Sequence, residues 1–123
     1  MEQDLHEYLK MDLDSLEEGL RLYEEGSEFT TDVGRIDLLA IDDDENLVVI
    51  ELKTGKAGDS AFGQIMRYIG YVEENIADSG QNVRGIIVAD EYDENLKYSI
   101  RKAPELELKE YRVSFDFEDK EFL

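Results

Sequence analysis

Hydrophobic positions change their rhythm twice along this chain. Leu5, Tyr8, Leu9, Leu13 and Leu16 fall three or four residues apart, a spacing that predicts a helix over 3–18 with one apolar face. Asp12 or Asp14 is placed to interrupt it and cap a second short helix, and Gly19 to stop it. Leu20 to Tyr23 read as a short first strand, followed by a polar loop through Gly34. Two apolar runs follow, Ile36–Ile41 and Leu47–Lys53, separated by the turn-forming Asp42-Asp43-Asp44-Glu45-Asn46, and together they predict a hairpin. Gly55 and Gly58 frame a loop ahead of a long helix from Asp59 to Asp78, with Phe62, Ile65, Met66, Ile69 and Val72 on its buried side and Ser79-Gly80 at its end. Val83 to Ala89 is nearly all apolar and reads as a fully buried strand. A shorter helix over 93–103 and an extended segment from Leu106 to Val113, entered after Pro104, complete the pattern. The order of helix, three strands, helix, strand, helix, strand places the chain in the α/β class, with a mixed central sheet flanked by helices.

At 123 residues the sequence has the size of one domain. Such a domain buries roughly two-thirds of its unfolded surface, enough for a core without staples. It has no cysteine, so disulfides and thiolate metal sites are excluded, and the lone His6 cannot build a zinc site by itself. Charged residues interrupt every apolar run, none of which approaches the roughly 20 residues of a membrane span. These features predict a soluble, cytoplasmic protein with no membrane partner.

Charge alters the picture more. Thirteen basic residues stand against 32 acidic ones, a net charge of −19, with acids spread from Glu2 to Glu121. High net charge is a mark of disorder, but 41% hydrophobic content and clean apolar strands argue against it here. A folded domain this acidic repels itself. Molar salt relieves that, since the screening length falls to about 3 Å at 1 M. The expectation is a halophilic protein, adapted to high internal salt; an acidic domain with a basic partner is the plainer alternative.

Two acids interrupt the core-building strands, Asp37 between Ile36 and Leu38 and Glu51 between Ile50 and Leu52. A lone buried carboxylate is costly, so such groups pair or hold a metal. If the strands pair across the turn near Asp44, residue 37 lies opposite residue 51, with Cβ atoms about 5 Å apart. Carboxylates that close repel each other unless a cation intervenes. Oxygen ligands completed by water and phosphate suit Mg²⁺ or Mn²⁺ rather than zinc. Lys53 shares Glu51's face of the strand, where it can stabilise developing negative charge. Gln64 and Tyr68, four apart on the next helix, also share one face. The plainer readings are a solvent-facing Glu51–Lys53 pair, an Asp37 bonded to backbone at a strand start, and ordinary surface positions for Gln64 and Tyr68. Their combination in one short stretch favours an active site.

An aspartate on one strand followed by Glu-x-Lys on the next resembles the PD-(D/E)XK nuclease superfamily, and Gln-x-x-x-Tyr on the helix resembles its RecB-like branch. The fuller pattern is similar to the catalytic domain of the NucS/EndoMS endonucleases. It comprises Gly34-Arg35-Ile36-Asp37, Val49-Ile50-Glu51-Leu52-Lys53, Gly63-Gln64-Ile65-Met66-Arg67-Tyr68 and Val83-Arg84-Gly85-Ile86-Ile87-Val88-Ala89. The resemblance implies a restriction-endonuclease-like αβββαβ core and hydrolysis of DNA phosphodiester bonds of the repair type. It implies that Asp37, Glu51 and the Leu52 carbonyl bind Mg²⁺, that Lys53 assists the attacking water, and that Gln64 and Tyr68 are auxiliary. It further implies a glutamate from the first helix, Glu2 by its place, with Glu7 as the alternative. The fuller design of that family carries an N-terminal part for DNA binding and dimerisation, and this chain begins at the first catalytic helix, so branched or mismatched DNA and a homodimer are expectations only. Ser114-Phe115-Asp116-Phe117 and Phe122-Leu123 read more simply as a terminal strand than as the family's clamp-binding tail.

DNA-binding surfaces are normally basic, and the overall charge is the wrong sign. Arg35, Lys53, Lys56 and Arg67 nevertheless cluster around the expected site, with Arg84, Arg101 and Lys102 farther along. Two other functions stay open: a catalytically weak nuclease-fold module that binds DNA or a protein, and an acidic nucleic-acid mimic. Metal dependence separates the nuclease from both.

Overall fold

A computed structural model of the chain describes residues 2–123. Its elements are α1 (Glu2–Met11), a 3₁₀ turn (Leu13–Ser15), β1 (Arg21–Thr31), β2 (Gly34–Ile41), β3 (Leu47–Ala57), α2 (Asp59–Asn75), β4 (Val83–Tyr92), α3 (Glu94–Arg101) and β5 (Leu106–Glu110). The five strands form one sheet in the order β1-β2-β3-β4-β5. The first two pairings are antiparallel and the last two parallel, which is the expected mixed sheet.

Parallel neighbours need a crossover, and α2 and α3 supply the two. Both pack on one face of the sheet, over Leu47, Val49, Ile87 and Leu106. The opposite face, carrying Leu38, Val48, Ile50, Leu52 and Val88, is covered by Leu9, Leu13 and Leu20 of α1 and the segment after it. Alternate residues of β3 thus serve opposite layers, and every residue from Leu47 to Leu52 is buried. Each such aliphatic side chain contributes about 1.5–3 kcal/mol relative to exposure, so β3 is a firmly packed support for a site at its end. The β2–β3 turn is organised by Asp42, whose Oδ1 accepts from the Asp44 and Asn46 amides at 2.9 and 3.0 Å.

Some boundaries differ from the sequence pattern. The first helix stops at Met11 because Asp12, at φ −150° and ψ 65°, leaves the helical region. The polar stretch ahead of Gly34 is strand: β1 runs to Thr31 as an edge. Its alternation is broken by a register shift between Leu22 and Ser27, with φ of 56° at Glu25 inside the shift and 52° at Glu28 just after it. Gly55 lies within β3 rather than in a loop, and α2 ends at Asn75. Regular pairing at the C-terminus ends at Glu110, followed by one bond from the Tyr111 amide to the Ala89 carbonyl. Residues 112–123 have no regular structure, and Phe115 and Phe117 are exposed, with no strand beside them to pair with among the described residues. Among the described residues, no helix is long and apolar enough to cross a membrane.

Candidate active site

The β2–β3 ladder pairs Ile41 with Leu47 and ends with Leu38 opposite Ile50. One step farther the strands part, and two side chains take over from the main chain. The Asp37 amide donates to Glu51 Oε1 at 3.3 Å, and the Leu52 amide donates to Asp37 Oδ2 at 2.8 Å. The expected opposition of residues 37 and 51 is therefore present, as a reciprocal clasp at the point where the sheet forks. Glu51 is 2% exposed, while Asp37 is half-buried.

Burial dominates the electrostatics. It raises Asp37, helped by the nearby Glu2 carboxylate and opposed by the Leu52 amide and Lys53. Burial and then the charge of Asp37 push Glu51 up to about 8. Two carboxyls that resist ionising together are what a bound cation relieves.

Lys53 projects to the α2 side, where its Nζ donates to Gln64 Oε1 at 3.3 Å, and Gln64 Nε2 donates to the Tyr68 hydroxyl at 3.3 Å. Tyr68 is buried, and a Cβ at Gly34 would lie 2.5 Å from its hydroxyl oxygen. Gly34, at φ 135°, lets β2 begin against that ring. Gln64 and Tyr68 are thus a bonded extension of Lys53, not surface residues.

On the other side of the fork, α1 encloses a hollow of about 260 Å³ whose lining includes Glu2, Glu7, Glu28, Arg35, Asp37 and Leu52. Both first-helix candidates reach it. Glu2 Oε2 accepts from the amide and hydroxyl of Thr54 at 3.3 and 3.4 Å, whereas Glu7 stands 3.9 Å from His6. Glu2 is therefore the one tied to β3. Arg35 lines the hollow; Lys56 and Arg67 are on the surface and do not line it.

Three neighbours were not singled out in the sequence. His6 is buried, with Nε2 3.2 Å from the Asp37 carbonyl and 3.4 Å from Ser27 Oγ, so it ties α1 to β2 at the clasp. Its spacing of four from Glu2 on a helix was the available signal. Thr54 anchors Glu2, and Asp90, the acid that ends the apolar run of β4, accepts from the Gly55 amide at 2.7 Å.

The donor set fits a hard divalent ion. Asp37 and Glu51 offer carboxylate oxygens, and Leu52, between Glu51 and Lys53, lines the hollow together with Asp37. Among the described residues no group of three or more His, Asp or Glu side chains could hold a metal. Water and a phosphate oxygen would then complete the shell, as Mg²⁺ prefers.

Comparison with known proteins identifies the family and the fold. The Endonuclease NucS C-terminal domain family matches residues 1–116. Endonuclease NucS 2 of Halobacterium salinarum is 37% identical over 100 residues, covering 81% of this chain and 38% of that protein. Endonuclease NucS of Sulfolobus acidocaldarius is 39% identical over 87 residues, 71% of this chain and 32% of its own length. Among solved structures, a repair endonuclease from Pyrococcus abyssi superposes with a TM-score of 0.79 at 32% identity, over 90% of this chain and 46% of that one. EndoMS in a complex with double-stranded DNA gives 0.79 at 27% identity, over 94% and 46%. The chain therefore spans about a third of the curated relatives and about half of the solved structures.

Proposed function

The chain belongs to the NucS C-terminal domain family, and from that premise we propose that its 123 residues act as one metal-dependent endonuclease domain that hydrolyses DNA phosphodiester bonds. The observation that carries this reading is the clasp of Asp37 and Glu51 at the strand fork, with Lys53 held beside it by Gln64. Asp37, Glu51 and the Leu52 carbonyl would hold Mg²⁺ or Mn²⁺, which lowers the pKa of bound water and neutralises charge on the phosphate. Lys53 stands ready to hydrogen-bond the attacking water or a phosphoryl oxygen as charge develops. Gln64 and Tyr68 fix the lysine's direction, and Glu2 secures β3 from the α1 side. Arg35 in the hollow, with Lys56 and Arg67 on the surface, supplies cations for the DNA backbone, the partner we assign. Repair-type substrates, mismatched or branched, are the class to test first, with a homodimer as the assembly for paired cuts. The acid-rich surface suits a solvent of molar salt, where self-repulsion is screened.

The test uses fluorescent DNA duplexes, matched, mismatched and branched, incubated with the chain in molar KCl with and without Mg²⁺ or Mn²⁺. Cleavage is expected only with metal in the wild type, and in no condition with Glu51→Gln. DNA bound but left intact by the wild type in metal would overturn the nuclease reading in favour of a binding module.

A further inference from the structure

Just beyond the clasp, β3 carries an irregularity. Lys53 pairs with Ala89 and Lys56 with Glu91, so Thr54 and Gly55 on β3 face the single residue Asp90 on β4. That two-against-one count is a β-bulge, which bends its strand and re-aims the neighbouring side chains. The amides of a bulge lose their ladder partners, and here both are recovered by carboxylates: Thr54 donates to Glu2 at 3.3 Å and Gly55 donates to Asp90 Oδ1 at 2.7 Å. Gly55 takes φ 88°, yet a Cβ there would meet nothing within 4 Å, so the glycine serves the backbone conformation rather than space. Asp90 holds no ion pair among the described residues, and its carboxylate is bonded to this amide.

Lys53 is the last regularly paired residue before the bulge. Gln64 holds its ammonium at 3.3 Å, and the main chain beneath it sets where that side chain starts. We propose that Asp90 is a positioning residue: by clamping the Gly55 amide it fixes the bulge and aims Lys53 at the scissile phosphate. This inference rests on the nuclease reading above and adds to it a residue that acts only through the backbone. The clamp needs an acceptor oxygen and not a charge, so asparagine should serve where alanine cannot.

The experiment compares wild type, Asp90→Ala, Asp90→Asn and Gly55→Ala, in cleavage kinetics and in the exchange of the backbone amide at position 55 followed by NMR. Displacing a reacting group by about 1 Å costs up to about a hundredfold in rate. The kcat of Asp90→Ala should therefore fall about 10- to 100-fold with KM within about twofold, and its Gly55 amide should exchange at least about tenfold faster. Asp90→Asn should restore both, and Gly55→Ala, strained at positive φ, should reproduce the kcat loss even if Asp90→Ala folds poorly. Wild-type kcat in Asp90→Ala would overturn the inference. An Asp90→Asn protein as inactive as the alanine variant, with its Gly55 amide still protected, would also overturn it by making the charge the active feature. A wild type that cleaves no DNA would sink the nuclease reading itself, a result separable from either of these.

Discussion

At pH 8 in a chelator, replacing Glu51 with glutamine should make the protein more stable. The carboxyl is 2% exposed, and burial followed by the charge of Asp37 lifts it from 4.5 to about 8. A group raised on folding favours the native state in its protonated form; that contribution is complete below pH 4.5 and is lost as the pH climbs through about 8. The interval, at about 1.4 kcal/mol per pH unit, sets a ceiling of about 5 kcal/mol, of which about 4 is expressed at pH 8. Glutamine keeps an oxygen for the Asp37 amide and removes the charge. Relaxation and the effective dielectric of real interiors reduce the gain to about 1–3 kcal/mol. For a domain of this size that is a rise in Tm of about 4–12 °C. Thermal melts at pH 5 and pH 8 in molar KCl with chelator read it directly, with the gap small at pH 5 and wide at pH 8. Saturating Mg²⁺ or Mn²⁺ should reverse the order, since the ion stabilises only the protein that binds it. A variant that melts at or below the wild type at pH 8 in chelator, or a gap equal at the two pH values, would refute the reasoning.

Lys53→Ala should lower cleavage about 10²- to 10³-fold, the usual loss of one oriented donor, while metal affinity measured by calorimetry stays near wild type. His6→Leu removes the ring's bonds to the Asp37 carbonyl and Ser27; urea unfolding should show a loss of about 1–3 kcal/mol, with His6→Gln recovering part of it. Arg84→Met strands Glu17 and the buried Asp42, both bonded to the guanidinium at the end of β4 away from Asp90. It should cost about 1–3 kcal/mol in urea, with cleavage unchanged.

The sequence was most legible where burial dictates pattern. β3 and β4 lie between two layers, so their apolar runs marked both strands and their neighbours. Asp37 and Glu51 were visible because a carboxylate inside such a run has no structural reason to be there, and the turn fixed their register. Only the start of β1 was legible, at Leu20 to Tyr23, because an edge strand with a register shift need not alternate; Glu24, Glu25, Gly26 and Ser27 read as loop while forming it. The bulge at Thr54 and Gly55 was read as loop for the same reason, a glycine at positive φ having no local mark of strand. His6 and Asp90 act through main-chain groups of elements distant in sequence; the spacing of His6 from Glu2 put both on one helix face but did not report that contact, and Asp90 had no such mark. The terminal apolar residues from Phe115 onward illustrate the converse, since apolar character without a neighbouring strand gave no strand.

Whether the clasp is a divalent-metal site is tested most directly by titrating Mn²⁺ calorimetrically into the wild type and into Asp37→Asn in molar KCl. The asparagine keeps an oxygen for the Leu52 amide, so the fork stays closed while one charge is lost. Saturable binding by the wild type that disappears in Asp37→Asn is the predicted result. Identical heats from the two proteins would contradict the account.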